Sequence, residues 1–265
     1  MNFTLTIMGT ASAMPISDRN PSAQMLNVHG RLFLIDCGEG TQQQMRRAHL
    51  SFLKVEAIFI THIHGDHLFG LFGLMSSMAM YGRTAPLKIF GPSALGAVLK
   101  FYQNFFGEGM NYELQFTAVD CKEPVVVYES KCVRVSAIPL KHKIDCYGWR
   151  FDEIPTPKAE MKGIRPKSYA YCSDTIAFPE LAAWVKDVDV LYHEATYQDE
   201  MADKAALRFH STTKQAAQCA LDAGAGRLIV GHYSSRITDF EAFLKECQEV
   251  FPESVAAQDG DVFEI

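Results

Sequence analysis

Residues 61–67, Thr61-His62-Ile63-His64-Gly65-Asp66-His67, place four potential metal ligands within six residues, directly after the apolar run Ala57-Ile58-Phe59-Ile60. That juxtaposition restricts the local geometry. In an extended segment residues i and i+2 share a face, so His62 and His64 can point at one ion, while Asp66 and His67 follow on a turn. Nothing about core packing asks for this arrangement. The pattern H-x-H-x-D-H suits a two-metal hydrolase site, and imidazole with carboxylate suits zinc or another borderline transition metal. With no cysteine nearby, a closed structural zinc site is disfavoured.

Two ions need more ligands than this motif holds, and the others must come from the ends of other strands. His142 follows Ala137-Ile138-Pro139-Leu140, His232 follows Leu228-Ile229-Val230-Gly231, and Asp174 comes just after Tyr169-Ala170-Tyr171-Cys172. A lone histidine past a strand is more often a satisfied structural residue; the shared placement of the three singles them out. A carboxylate can bridge two metals roughly 3.5–4 Å apart, a role open to Asp174. His142 then completes the ion held by His62 and His64, and His232 the ion held by Asp66 and His67. Asp36, at the end of Leu32-Phe33-Leu34-Ile35, is placed as an acceptor that orients a ligand imidazole. The set would take two Zn2+ per chain, and it would also accept Mn2+ or Fe2+.

Strand-like and helix-like runs alternate along the chain. Strands are expected at 3–8, 31–35, 57–60, 87–90, 125–128, 132–137, 147–151, 169–172, 188–192, 227–230 and 262–265, and helices at 41–49, 68–81, 94–106, 179–186, 213–223 and 240–250. Thr212 with Gln215, and Thr238 with Glu241, match the capping box, and Gly224 supplies a stop after the first of these helices. Eleven strands and six helices in mixed order fit an α/β fold of two sheets with helices outside better than a doubly wound parallel sheet. The 265 residues are read as a single domain, with ample material for a core.

With 48% hydrophobic and 21% charged residues, the composition is that of a soluble globular protein. The opening residues 1–8 alternate like a strand and carry no basic stretch, unlike a signal peptide, and no apolar run approaches the roughly 18 residues of a membrane span. A cytoplasmic protein with no membrane partner is expected. Seven cysteines, scattered and never in a C-x-x-C pair, argue against a disulfide framework. The net charge of -6 offers little to a polyanion, yet residues 141–167 hold seven basic residues against four acidic ones. That stretch reads either as a phosphate-contacting patch or as an ordinary solvated loop. Residues 68–81 are unusually apolar, which fits core packing or an interface.

Further motifs carry a family resemblance over nearly the whole chain. Met8-Gly9-Thr10-Ala11-Ser12-Ala13, Ile35-Asp36-Cys37-Gly38-Glu39-Gly40-Thr41-Gln42, Tyr171-Cys172-Ser173-Asp174-Thr175, His193-Glu194-Ala195-Thr196, His210-Ser211-Thr212 and Gly231-His232-Tyr233-Ser234-Ser235-Arg236 stand beside the histidine motif. Together they resemble the metallo-β-lactamase fold superfamily and, within it, the ribonuclease Z family of endonucleases, which trim the 3′ ends of precursor tRNA. The resemblance implies a four-layer αββα sandwich over residues 1–265, a homodimer, and metal ligands His62, His64, Asp66, His67, His142, Asp174 and His232. It implies that Asp66, Glu194 and His210 are catalytic: Asp66 controls the proton of the attacking water, and His210, held by Glu194, protonates the leaving 3′ oxygen to give a 3′-hydroxyl. Arg236 is then a phosphate contact or a surface ion-pair partner.

The chain departs from that pattern in one place. Most bacterial members insert a long arm before the bridging aspartate, whereas 31 residues separate His142 from Asp174 here. In place of an arm stands a short basic stub, 153–167, with Lys158, Lys162, Arg165 and Lys167, broken by prolines. The resemblance implies precursor tRNA as the substrate; the reduced arm keeps another phosphodiester, a small molecule or cyclic nucleotide, as the alternative. The complete ligand set argues against a non-catalytic partner subunit.

Overall fold

The computed structural model describes residues 3–155 and 157–265. Met1 and Asn2 of the expected opening stretch, Thr156 of the expected stub, and the side chains of Lys158 and Ala159 lie outside the described residues. The elements in chain order are β1 (Phe3–Gly9), β2 (Ala23–Val28), β3 (Arg31–Ile35), α1 (Thr41–Arg47), β4 (Val55–Phe59), α2 (Gly65–Leu68), α3 (Gly70–Met80), β5 (Leu87–Pro92), α4 (Leu95–Phe106) and β6 (Leu114–Val119). There follow β7 (Val125–Glu129), β8 (Val133–Leu140), β9 (Cys146–Glu153), α5 (Pro157–Met161), β10 (Ser168–Cys172), α6 (Glu180–Trp184), β11 (Val190–Glu194), α7 (Ala202–Arg208), α8 (Thr213–Ala223), β12 (Arg227–Gly231), α9 (Phe240–Val250), β13 (Ser254–Ala256) and β14 (Val262–Glu264). They form two compact units: the residues up to Asp120 with Gln258–Glu264, and Cys121–Ala257 with Ile265.

The first unit is a seven-stranded sheet in the order β14-β1-β2-β3-β4-β5-β6, antiparallel as far as β3 and parallel from β3 to β6. Alternation decides its faces. Leu32 and Leu34 of β3, Ile58 of β4 and Ile89 of β5 pack with Met45 of α1, with Leu71, Leu74, Met75 and Met78 of α3, and with Leu99 of α4. Phe33, Ile35 and Phe59 occupy the other face and are also wholly buried. Strands covered on both faces read as continuous apolar runs, which is what 57–60 displays. The apolar stretch after the histidine motif is thus core-facing for most of its length, with Phe69, Met80 and Tyr81 as exposed exceptions.

The second unit is also a seven-stranded sheet, ordered β13-β12-β11-β10-β9-β8-β7, parallel from β13 to β10 and antiparallel onward to β7. Ala216, Ala217 and Ala220 give α8 a small-residue face that lies on Leu191 of β11 and on Leu228 and Val230 of β12, while Phe243 and Cys247 bring in α9. The Thr212–Gln215 capping box forms as expected, and Gly224 takes the left-handed conformation (φ 64°) that ends α8.

The second expected capping box does not form. Asp239 rather than Thr238 caps α9, its carboxylate accepting from the Ala242 N–H at 2.9 Å. A carboxylate one residue later reaches the same orphan donors and also complements the helix dipole. The expected helix over 68–81 breaks at Phe69, giving α2 and α3, so that helical structure already begins at Gly65, inside the histidine motif. Strands β2, β6 and β13 and helices α5 and α7 are additional to the elements expected from periodicity. Within each unit the chemistry-bearing residues follow the carboxyl ends of parallel strands: Asp36 after β3, the histidine motif after β4, Asp174 after β10, Glu194 at the end of β11 and His232 after β12.

Candidate metal centre

In the first unit, α2 carries Asp66 and His67 in its single turn while His62 and His64 precede it in extended chain. His62 Nε2 and His64 Nδ1 lie 3.0 Å apart, and His67 Nε2 lies 3.4 Å from Asp66 Oδ2. Two tetrahedral ligands of zinc, each about 2.0–2.1 Å from the ion, sit roughly 3.3 Å from one another. Both pairs therefore have the spacing of atoms that share an ion, and the donor set fits zinc.

Asp36 is wholly buried beneath them, in the left-handed region at φ 55°. Its Oδ2 accepts from His67 Nδ1 at 2.7 Å, its Oδ1 accepts from the Thr61 N–H at 2.8 Å, and the Thr61 hydroxyl is 3.0 Å from each oxygen. Asp36 thus touches the far nitrogen of an imidazole whose Nε2 remains on the Asp66 side. Backbone bonds tie these loops together: Cys37 N–H donates to the His67 carbonyl at 2.8 Å and Gly70 N–H to the Cys37 carbonyl at 2.9 Å. A Cβ at Gly70 would collide with the Gly38 carbonyl, and one at Gly38 with the Asp66 carbonyl, so neither position has room for a side chain.

In the second unit Asp174 presents its two oxygens to different imidazoles. Oδ1 lies 3.2 Å from His232 Nε2 and Oδ2 lies 3.9 Å from His142 Nε2. This two-sided presentation suits a bridging carboxylate. Each histidine has its other nitrogen occupied: His142 Nδ1 donates to the Phe209 carbonyl at 3.0 Å, and His232 Nδ1 meets Thr196 Oγ1 at 2.9 Å. Phe209 is the left-handed cap of α7 (φ 61°), and His232 is itself left-handed (φ 62°). Neither is a glycine, and sparsely populated backbone at both positions marks a geometry that the surroundings impose. Asp174, His210 and His232 hold ligand atoms within 4.8 Å of one another.

Glu194 is wholly buried and accepts five hydrogen bonds: from the N–H groups of Thr175 (3.1 Å), Thr196 (3.0 Å) and Ser211 (3.0 Å), from the Thr196 hydroxyl (2.8 Å) and from His210 Nδ1 (3.0 Å). Burial pushes its carboxyl up, but the His210 imidazole, by charge and by hydrogen bond, outweighs that and holds Glu194 below the usual carboxylate value. His193, its buried neighbour, donates from Nδ1 to the Glu194 carbonyl at 2.7 Å, and burial lowers its pKa.

Arg236 lies exposed on the loop after β12, with no side-chain ion pair among the described residues. The stub is engaged differently: Arg165 pairs with Asp189, Lys167 Nζ lies 3.9 Å from the same carboxylate, and Asp189 also accepts from Ser168 N–H at 2.8 Å. Two residues escaped the sequence reading, Thr61 and Thr196. Both stand inside the quoted motifs, but a hydroxyl that serves an imidazole leaves no trace in a count of metal ligands.

Residues 31–233 match the beta-lactamase superfamily domain, and each mixed sheet with its helices is one half of what an αββα sandwich of that class contains. The ribonuclease Z of Bacteroides fragilis is 37% identical over 97% of this chain and 97% of that protein, and the ribonuclease Z of Porphyromonas gingivalis 36% identical over 97% of each. Among solved structures, human tRNase Z, short form, superposes with a TM-score of 0.81 at 27% identity over 98% of both chains. The chain belongs to the ribonuclease Z family. Its alignment with the Bacteroides fragilis relative runs to 296 positions against 265 residues here, so that relative carries segments this chain lacks.

Proposed function

We propose that this chain is a two-metal endoribonuclease that removes the 3′ trailer from precursor tRNA and leaves a 3′-hydroxyl. The observation that carries the reading is the two-sided presentation of Asp174 to His142 and His232, in a chain whose relatives are ribonucleases Z. His62, His64 and His142 would hold one ion, Asp66, His67 and His232 the other, with Asp174 shared. Zinc is the expected metal, with manganese or iron also compatible with these donors. Ions held there supply Lewis acidity at the scissile phosphate and acidify the attacking water. Asp66 takes up the proton of that water. His210, as an imidazolium backed by the ionised Glu194, returns a proton to the leaving 3′ oxygen. Arg236, exposed and unpaired among the described residues, offers its guanidinium fork to a phosphate.

The two units act together as one catalytic domain in this reading, and the enzyme works in the cytoplasm, where its seven thiols stay reduced. No described helix is long and apolar enough to cross a membrane. A homodimer would use the face of α3 and α4 that exposes Met80, Phe101, Phe105 and Phe106. The metal-loaded protein is to be assayed on a 3′-extended precursor tRNA, a cyclic nucleotide and an aryl phosphodiester. Endonucleolytic cleavage of the tRNA is expected; activity on the other two with none on the tRNA overturns the reading in favour of a small-molecule phosphodiesterase.

A further inference from the structure

Counting protons around the two buried carboxylates reveals the same device twice. In the first unit the Thr61 hydroxyl lies 3.0 Å from both Asp36 oxygens and 3.0 Å from His62 Nδ1. In the second the Thr196 hydroxyl lies 2.8 Å from Glu194 Oε2 and 2.9 Å from His232 Nδ1. A hydroxyl has one proton to give, and an ionised carboxylate can only accept. The hydroxyl proton therefore goes to the carboxylate, and the oxygen's lone pair must receive the Nδ1 proton of the histidine. A neutral imidazole so placed carries its proton on Nδ1 and none on Nε2 in both cases. His62 Nε2 is the atom 3.0 Å from His64 Nδ1, and His232 Nε2 the atom 3.2 Å from Asp174 Oδ1.

The competing assignments fail on the same count. His210 Nδ1 lies 3.3 Å from Thr196 Oγ1 but 3.0 Å from Glu194 Oε1, so its proton is already spent on the carboxylate. His67 Nδ1 reaches Asp36 directly at 2.7 Å. Each carboxylate thus serves one imidazole directly and a second through a threonine, and both threonines are buried away from water that could substitute for them.

We propose that Thr61 and Thr196 are positioning residues that lock His62 and His232 in the tautomer with Nδ1 protonated and Nε2 presented to the metal. The proposal rests on the metal-centre reading above. Nitrogen-15 NMR of the zinc-loaded protein reports which ring nitrogen carries the proton and which holds the metal. Nδ1–H with zinc on Nε2 is expected for His62 and His232, and zinc on Nδ1 of either overturns the assignment; a protein that takes up no zinc overturns the metal-centre reading and this role with it.

The second test removes the hydroxyl while keeping the shape. Thr61→Val and Thr196→Val are each expected to weaken zinc binding about 10- to 100-fold in a chelator competition, the usual cost of losing a partner of a ligand imidazole. Thr61→Ser and Thr196→Ser are expected to restore it to within about threefold. Wild-type zinc affinity in the valine variants, or serine variants as weak as valine ones, overturns the role. If a valine variant does not fold, the serine variant and the tautomer spectrum decide.

Discussion

At the scale of the residue, the two buried carboxylates of the second unit have different tasks, Asp174 toward ions and Glu194 toward a proton donor. Asp174 faces His142 and His232 with different oxygens, whereas Glu194 is saturated by five hydrogen bonds within its own unit. Two substitutions should therefore fail in different ways. Asp174→Ala is expected to lose bound metal together with activity, read by metal analysis of the purified protein. His210→Ala is expected to keep its metal and lose about 10²- to 10⁴-fold in turnover, the usual worth of a positioned acid; a variant with near wild-type turnover removes the proton-donor assignment. His193 makes a separate prediction. Burial depresses its pKa below the ordinary 6.5, so under that pH the unfolded chain takes up a proton that the folded chain refuses. Stability contributed by this group is present above 6.5 and is lost as the pH falls. Denaturant unfolding of the metal-free protein between about pH 5 and 7 should show that slope, and His193→Asn should flatten it. The ligand candidates were legible because each follows an apolar strand. The threonines were not, since their role depends on where a hydroxyl sits between two groups distant in sequence.

At the scale of the element, periodicity located the strands that are buried on both faces, such as β3, β4 and β12, because an unbroken apolar run of four or five residues has few other uses. It missed β2, where buried Gln24 and half-buried Asn27 interrupt the pattern, and β6, where Leu114, Phe116 and Ala118 alternate with polar side chains on a strand at the sheet edge. Strand β13, three residues long, is held by its parallel register with β12 rather than by its own composition. Helix starts were legible where a side chain both fits and competes with no better one. Thr212 satisfies that condition; Thr238 loses to Asp239 beside it. Replacing Thr212 by Ala should cost about 1 kcal/mol of stability, measured by chemical denaturation, because the Gln215 N–H then loses its hydroxyl acceptor, while the backbone N–H of residue 212 still donates to the Gln215 side chain. Thr238→Ala should leave stability nearly unchanged, whereas Asp239→Ala should not.

At the scale of the whole molecule, two of the four basic residues of the stub, Arg165 and Lys167, serve as a fastening. Arg165 and Lys167 share the Asp189 carboxylate, which also holds Ser168 at the start of β10. Charges already paired contribute little counterion release on binding RNA. Substituting Arg165 and Lys167 together by Ala should hence leave the salt dependence of precursor-tRNA binding nearly unchanged, measured as log affinity against log salt. A slope reduced by about two would instead assign both residues to phosphate contacts. The return of the chain to its first sheet has a further consequence. Strand β14 covers the edge of β1, with Ile7 N–H donating to the Asp261 carbonyl at 2.9 Å and Asp259 accepting from Thr10 and Asn20. During translation the whole second unit emerges between β6 and β14, and for that interval β1 stands as an open edge able to pair with any neighbouring strand. The period of greatest aggregation risk in the cell is therefore set by ribosome speed over about 140 residues, and slow codons there should lower soluble yield without changing the finished enzyme.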